Sequence, residues 1–382
     1  MGTEPVVVGV GLSDLGRVEV SAFELHHQAA ARALADAGLT PRDVDGIGST
    51  GTGLLPPVEL SEFLGLTPTW IDSTTVGGAA WLVMLQHAAA ALRAGDASVV
   101  LLTYANTPRR DVRSGRRRAD VAFVSDGPSA VDASTGHTLA SRYAMAATRY
   151  LHEFGATIEQ LAEVAVSARY NASLTPEAFV RSPLTIEEVQ AAPMVAEPFT
   201  SLHCCLRTDG GGAIVLTTAD RAADLPSRPI RVLGAASAIG PASMASWRDF
   251  TSTPASRSGP LAFRRAGVEP GDIDVAQLYD AFTISVPLTL EALGFCGTGE
   301  GAAFAATGAL RVGGALPTNT DGGGLSHSHP GQRGIFLVIE AVRQLRGDAG
   351  DRQVPGAQLA CAHGTGGWFS SAATVVLGTA DA

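Results

Sequence analysis

Two glycine-rich turns near the C-terminus each present histidine: Asn319-Thr-Asp-Gly-Gly-Gly-Leu-Ser-His-Ser-His-Pro330 and Ala362-His-Gly-Thr-Gly-Gly-Trp368. Imidazoles on such turns suit proton transfer, and glycine lets backbone N–H groups approach a reacting oxygen closely. The turn that should face them from the first half, Asp72 to Trp81, holds Thr75 and no cysteine. A threonine hydroxyl is far less acidic than a thiol, and no base adjoins it in sequence. Acid–base chemistry without a covalent intermediate is the reading that follows.

A third segment, Leu278-Tyr-Asp-Ala-Phe-Thr283, adds a phenol and a carboxylate. Tyr279 could exchange a proton with a substrate hydroxyl if neighbours lowered a pKa of about 10. Asp280 reads as an orienting or capping residue. His329 and His363 are the candidate proton carriers, with Gly323, Gly324 and Gly366 supplying backbone donors near them. The bland alternatives are turn histidines and a strand-end tyrosine in structural roles. His327 reads as solvent-facing or as a supporting neighbour. With His329 and His363 it also admits a three-histidine metal site, although no carboxylate of obvious ligand spacing joins them. Cys204 and Cys205 read as buried packing before a strand. With Cys296 and Cys361 they form neither a zinc pattern nor a disulfide framework. All 27 basic residues are arginine, so lysine Schiff-base chemistry is excluded.

The elements that must position these residues are duplicated. Ala33 to Asp45 is echoed by Ala262 to Asp274, with six of thirteen positions identical. Each copy reads as a helix end capped by glycine, a proline turn, then a strand. A strand with a glycine exit precedes each, at 6–12 and 230–236. Downstream, each half has a glycine turn, an apolar helix (about 79–93 and 335–345) and strands (98–104 with 212–217, and about 358–362 with 371–377). Helices apolar nearly all round belong between two sheets. The segment at about 107–200, with a polar helix near 159–170 and many prolines, reads as a loop domain inserted in a first half spanning 1–225. The second half spans 226–382.

Hydrophobic content of 46% with 17% charged residues fits a packed α/β protein. A net charge of −10 gives no electrostatic support for nucleic-acid binding. The basic run Arg113 to Arg118 reads as a solvated loop, or more sharply as a contact for an anionic ligand. The N-terminus lacks the pattern of a signal peptide, and no apolar run reaches the roughly 18 to 20 residues that span a bilayer. The expectation is a cytoplasmic protein in which the Asn171-Ala-Ser173 sequon is a chance match.

Four of these motifs, in order, resemble the thiolase superfamily, and specifically its branch of sterol-carrier-protein thiolases and lipid-transfer proteins. They are Cys204 to Ala213, Leu278 to Thr283 with Leu290 to Cys296, Asn319 to Pro330 and Ala362 to Gly367. The resemblance implies a duplicated α/β thiolase fold of five layers, αβαβα. It places His329 on the family's catalytic histidine, His363 on a second, and Thr75 where the acyl-accepting cysteine belongs. Tyr279 stands where the branch usually has histidine. Both replacements are similar to cysteine-less relatives of steroid breakdown that act as retro-aldolases. The implied activity is cleavage of a β-hydroxyacyl-CoA into a ketone and a shorter acyl-CoA. CoA would enter as part of the substrate and no other cofactor would be needed. The implied partners are a second copy of the chain and a small OB-fold protein with a zinc ribbon. The rival expectations are an acyl-CoA C-acyltransferase and a non-catalytic lipid or acyl-CoA carrier.

Overall fold

The computed structural model describes residues 2–114 and 127–382; Arg116, Arg117 and Arg118 of the basic run lie outside them. Nine strands form the main sheet: β1 (Pro5–Leu12), β2 (Gly46–Gly48), β3 (Trp70–Asp72), β4 (Val99–Asn106), β5 (Gly210–Thr218), β6 (Ile230–Ile239), β7 (Val275–Leu278), β8 (Leu359–Gly366) and β9 (Ser371–Gly378). Their order is β3-β2-β4-β5-β1-β6-β9-β8-β7. Two half-sheets of like wiring, the first with β3 as an additional edge strand, meet at a short β1–β6 pairing, Val6 with Arg231 and Val7 with Ile230. In the first, β3, β2 and β4 run parallel while β5 and β1 are antiparallel. In the second, β7 and β8 run parallel while β9 and β6 are antiparallel.

The sequence repeat lands on equivalent elements. Helix α1 (Ala22–Ala37) ends on Gly38 at φ 70°, and its counterpart Ala255–Ala266 ends on Gly267 at φ 73°. Glycine at the left-handed position stops both helices without strain. Asp45, at the end of the first copy, accepts the amides of Ser98 and Val99 ahead of β4. Asp274 does the same for Gln358 and Leu359 ahead of β8. Each carboxylate thereby fixes the neighbouring parallel strand. Glycine also sets the helix–sheet spacing. A Cβ on Gly9 would lie 2.1 Å from the Ala33 carbonyl oxygen, and one on Gly234 2.3 Å from that of Ala262. Ala33 and Ala262 are matched positions of the repeat.

Helix α2 (Ala80–Ala94) and a later helix, Gly334–Arg346, contact each other and strands of both half-sheets. They bury Trp81, Leu82, Met84, Ile335, Phe336 and Val338 between the sheets, which explains why neither has a continuous polar face. α1 covers the outside of the first half-sheet and Ala255–Ala266 the outside of the second. The result is the five-layered, duplicated αβαβα arrangement.

Between β4 and β5 lie helix α3 (Leu139–Phe154) and helix α4 (Ile158–Ser173), among shorter pieces. Helix α5 is Ala255–Ala266 and helix α6 is Gly334–Arg346. Only α4 was expected from sequence. Yet α3 carries a clear start signal, a capping box between Thr138 and Ser141. α3 sends Tyr143 down onto Phe282 and Phe369, with ring centroids 4.4 and 4.7 Å away. Asn171 on α4 is fully buried and donates to the carbonyls of Leu310, Thr318 and Asn319, so the sequon is closed to glycosylation in the folded chain. Among the described residues no helix is long and apolar enough to cross a membrane.

Candidate active site

Three glycine turns converge where the half-sheets face each other. Gly78, just before α2, lies so close to Tyr279 that a Cβ there would meet the ring Cε2 at 2.2 Å. A Cβ on Gly366 would sit 1.9 Å from the Val76 carbonyl oxygen. No side chain fits at either place, so only glycine lets the turn of Thr75 touch both Tyr279 and the turn at 362–368. Opposite them, Gly322 at φ 101° opens a single π-helical turn, Gly323–His327, which leads to His329. Such turns recur at functional sites.

Tyr279 and His329 are brought together. The phenol oxygen lies 3.0 Å from His329 Nε2, with the rings nearly perpendicular. Tyr279 is buried, whereas His329 is half-buried and forms the open side of the pair. Burial pushes the phenol well above its ordinary value, helped by the Cys205 thiol and the Tyr104 and Tyr143 phenols nearby. The backbone N–H of Arg333, at the start of α6, pulls the other way. Burial, with the charge of Arg333, pushes His329 down to about 4. At neutral pH the pair is therefore a phenol bonded to an uncharged imidazole. The backbone around His329 is pinned as well: its amide donates to Thr208 Oγ1 at 2.9 Å, and Tyr104 donates to the next carbonyl, that of Pro330.

Asp280 is fully buried and accepts the amides of Gly324 (2.7 Å) and Leu325 (3.1 Å). Burial raises its carboxyl to about 6, against the opposing pull of Arg333 and those two amides. Gly323 abuts the same carboxylate and sends its own N–H to Asp321. The backbone donors of Gly323 and Gly324 thus serve two structural carboxylates, Asp321 within the turn and Asp280 from the Tyr279 segment.

His363 goes elsewhere. It pairs across β8 and β9 with Thr374, and its Nδ1 lies 2.9 Å from Thr374 Oγ1. Thr374 in turn meets Ser258 of α5, on the outer layer. The next residue, Gly364, faces Ala79 and Leu82 on the inner side. Successive strand residues face opposite ways, so the sheet separates the His363 ring from Tyr279. Only its backbone takes part: the His363 carbonyl accepts the Tyr279 amide at 3.0 Å. Burial lowers the imidazole to about 3.

Thr75 is exposed, and its hydroxyl partners, Thr50 and the Ser73 carbonyl, include no base. His327 is buried and not solvent-facing: its Nδ1 lies 3.0 Å from Asp321 Oδ2. The three rings of His327, His329 and His363 thus go to three different partners, and the described residues hold no group of ligands arranged for a metal ion. Cys204 and Cys205 are only partly buried, unlike the buried packing expected. They run beside the Tyr279 segment, Cys205 donating its amide to the Ala281 carbonyl. Burial still pushes the thiols up, Cys204 to about 11, which keeps them protonated.

Two residues escaped the sequence reading, Asp321 and Arg333. Both are buried, and the guanidinium of Arg333 holds both oxygens of Asp321, at 2.6 and 2.5 Å. Asp321 lies inside the histidine turn and Arg333 is the first charged residue after it, which was the available signal.

Residues 236–379 match the thiolase C-terminal domain-like family. The chain is 37% identical, over 90% of its length and 92% of the relative's, to a 17-hydroxy-3-oxo-4-pregnene-20-carboxyl-CoA lyase of Mycobacterium tuberculosis. It is 35% identical, over 96% and 97%, to an acetyl-CoA acetyltransferase of Methanothermobacter thermautotrophicus. Among solved structures it superposes on an Ltp2-ChsH2(DUF35) aldolase with a TM-score of 0.89 and 32% identity, covering 99% and 98% of the two chains. The shared fold, the converging glycine turns and these matches agree: the chain belongs to the thiolase superfamily, in the branch of sterol-carrier-protein thiolases and steroid side-chain-cleaving aldolases.

Proposed function

We propose that the protein is a carbon–carbon lyase that cleaves a β-hydroxyacyl-CoA, with a bulky acyl group of the steroid side-chain kind, into a ketone and a shorter acyl-CoA. One observation carries the reading: Tyr279 and His329 form a proton-handling pair at 3.0 Å, while the nucleophile position holds Thr75. In the reaction the β-hydroxyl proton passes to the Tyr279 oxygen as the phenol proton moves to His329 Nε2. The Cα–Cβ bond breaks, its electrons form the thioester enolate, and the β-carbon becomes the ketone. The proton then returns from the pair to Cα. The N–H of Arg333 at the start of α6 steadies the oxygen while it carries extra charge. His363 is assigned no proton, only a backbone contact to Tyr279.

CoA enters with the substrate, and we propose no other cofactor. A partner with a DUF35 domain is inferred from the neighbouring aldolase, whose name includes one. A second copy of the chain is inferred from the open edge of β3, where Ile71 is exposed, and from the exposed Leu54, Leu55, Val58 and Phe63. A cytoplasmic location completes the proposal. The test is to incubate the protein and its partner with β-hydroxyacyl-CoAs of several side-chain sizes and to measure ketone release. No ketone from any of them ends the reading.

The similarity to an acetyltransferase supports a second reading, thiolase-like condensation. It requires acyl transfer through Thr75 or directly between thioesters. A labelled acyl group trapped on the protein would favour it over lysis.

A further inference from the structure

We propose that Arg333 is a positioning residue that locks the turn bearing His329 to the segment bearing Tyr279; this rests on the lyase reading. Its guanidinium is fully buried and reaches Asp321, the Ser328 carbonyl, His327 and Asp280 at once. It holds both oxygens of Asp321, it donates to the Ser328 carbonyl at 2.8 Å, and its Nε lies 3.8 Å from Asp280 Oδ1. Each carboxylate in turn holds the same π-helical turn, Asp321 through the Gly323 amide and Asp280 through those of Gly324 and Leu325. One cation thus ties together Asp280, next to Tyr279, and the Ser328 carbonyl, next to His329.

The backbone of the same residue joins the site from the other side. Its N–H faces the Tyr279 oxygen, and Gly334, which follows, abuts the Gly78 carbonyl with no room for a Cβ. The side chain and the main chain therefore act on opposite ends of the hydrogen bond that the chemistry uses. A lysine could neutralise these carboxylates, but its single nitrogen could not span Asp321, the Ser328 carbonyl and Asp280 as the three nitrogens of Arg333 do.

The groups that face the pair come from every surrounding element. They are Tyr279 and Asp280 after β7, Asp321 and His327 in the turn, and Cys205 before β5. Tyr104 of β4, Tyr143 of α3 and Arg333 itself complete the set. Of these, Arg333 is the cation whose charge keeps His329 low.

The test uses Arg333→Gln in the full chain with 13C-labelled histidine, the His329 resonance being assigned by its absence in H329N. Its titration needs no substrate. We expect His329 to titrate about one unit higher in R333Q than in the wild type. The kcat should also fall at least tenfold with KM near the wild-type value. A folded R333Q whose His329 titrates as in the wild type overturns the proposal. Should R333Q fail to fold, R333Q/D321N removes the stranded carboxylate charge, and its His329 is titrated against that of D321N alone, with the same two outcomes. If the wild type cleaves no β-hydroxyacyl-CoA, the lyase reading falls, while the titration still decides the placement of Arg333.

Discussion

The carboxylate of Asp280 accepts the amide of Gly324 at 2.7 Å, and so couples the residue after Tyr279 to the turn that delivers His329. The two reacting groups lie 50 residues apart in sequence, and this bond is part of what keeps them 3.0 Å apart in space.

Asp280→Asn should show the cost of that coupling and its pH dependence. The folded carboxyl sits near 6, above its ordinary 3.8, so the protonated form favours the folded state. Its stabilising contribution is complete below about pH 4 and is lost as pH rises through 6. The wild type should therefore lose roughly 3 kcal/mol over that window relative to D280N, whose amide does not titrate. Urea unfolding at pH 4, 5, 6 and 7 measures the difference. A gap that stays constant with pH contradicts the assignment.

Tyr279→Phe keeps the ring against Gly78 and removes only the phenol oxygen. Turnover should fall by about 10² to 10⁴, with a change of about 1 kcal/mol in stability. Loss of folding in place of loss of rate would show the hydroxyl to be structural.

His363→Ala should behave in the opposite way. Its ring bonds Thr374 on the far side of the sheet, so about 1–3 kcal/mol of stability should go with it. At a temperature where the variant is folded, kcat should stay within about tenfold of wild type, since no proton passes through this ring. A folded H363A with a rate reduced a thousandfold would return His363 to the chemistry.

Thr75→Ala should leave lyase activity within a few-fold of wild type, because the exposed hydroxyl has no base to activate it. Abolished turnover in a folded T75A would favour acyl transfer through this residue.

Gly78→Ala tests the convergence of the turns. Its Cβ would lie 2.2 Å from the Tyr279 ring and 2.5 Å from the Thr365 carbonyl oxygen, and neither can retreat cheaply. A loss of more than about 2 kcal/mol is expected, with activity falling further than stability. Thermal unfolding and turnover on the same sample check both.

The repeat made much of the scaffold legible in the sequence. Gly38 with Asp45 and Gly267 with Asp274 mark equivalent helix ends and strand starts, because a left-handed cap and an amide-binding carboxylate are local demands that leave local signals. The apolar helices gave away the central layer in the same way. What the sequence hid depends on direction and on distant partners. A shift of one residue in strand facing sends His363 to Thr374 and away from Tyr279. Arg333 passed unread because Asp280 approaches it from another segment. Cys205 looked like core packing because its place beside the Tyr279 segment depends on Cys204 and Cys205 meeting Ala281 and Phe282, far away in sequence.

The most direct measurement follows a β-hydroxyacyl-CoA through turnover by mass spectrometry, with the wild type and Y279F side by side. The account expects ketone and shorter acyl-CoA from the wild type, almost none from Y279F, and a protein mass unchanged throughout. A stable acyl adduct on the wild-type chain during turnover, or equal rates from both proteins, would contradict it.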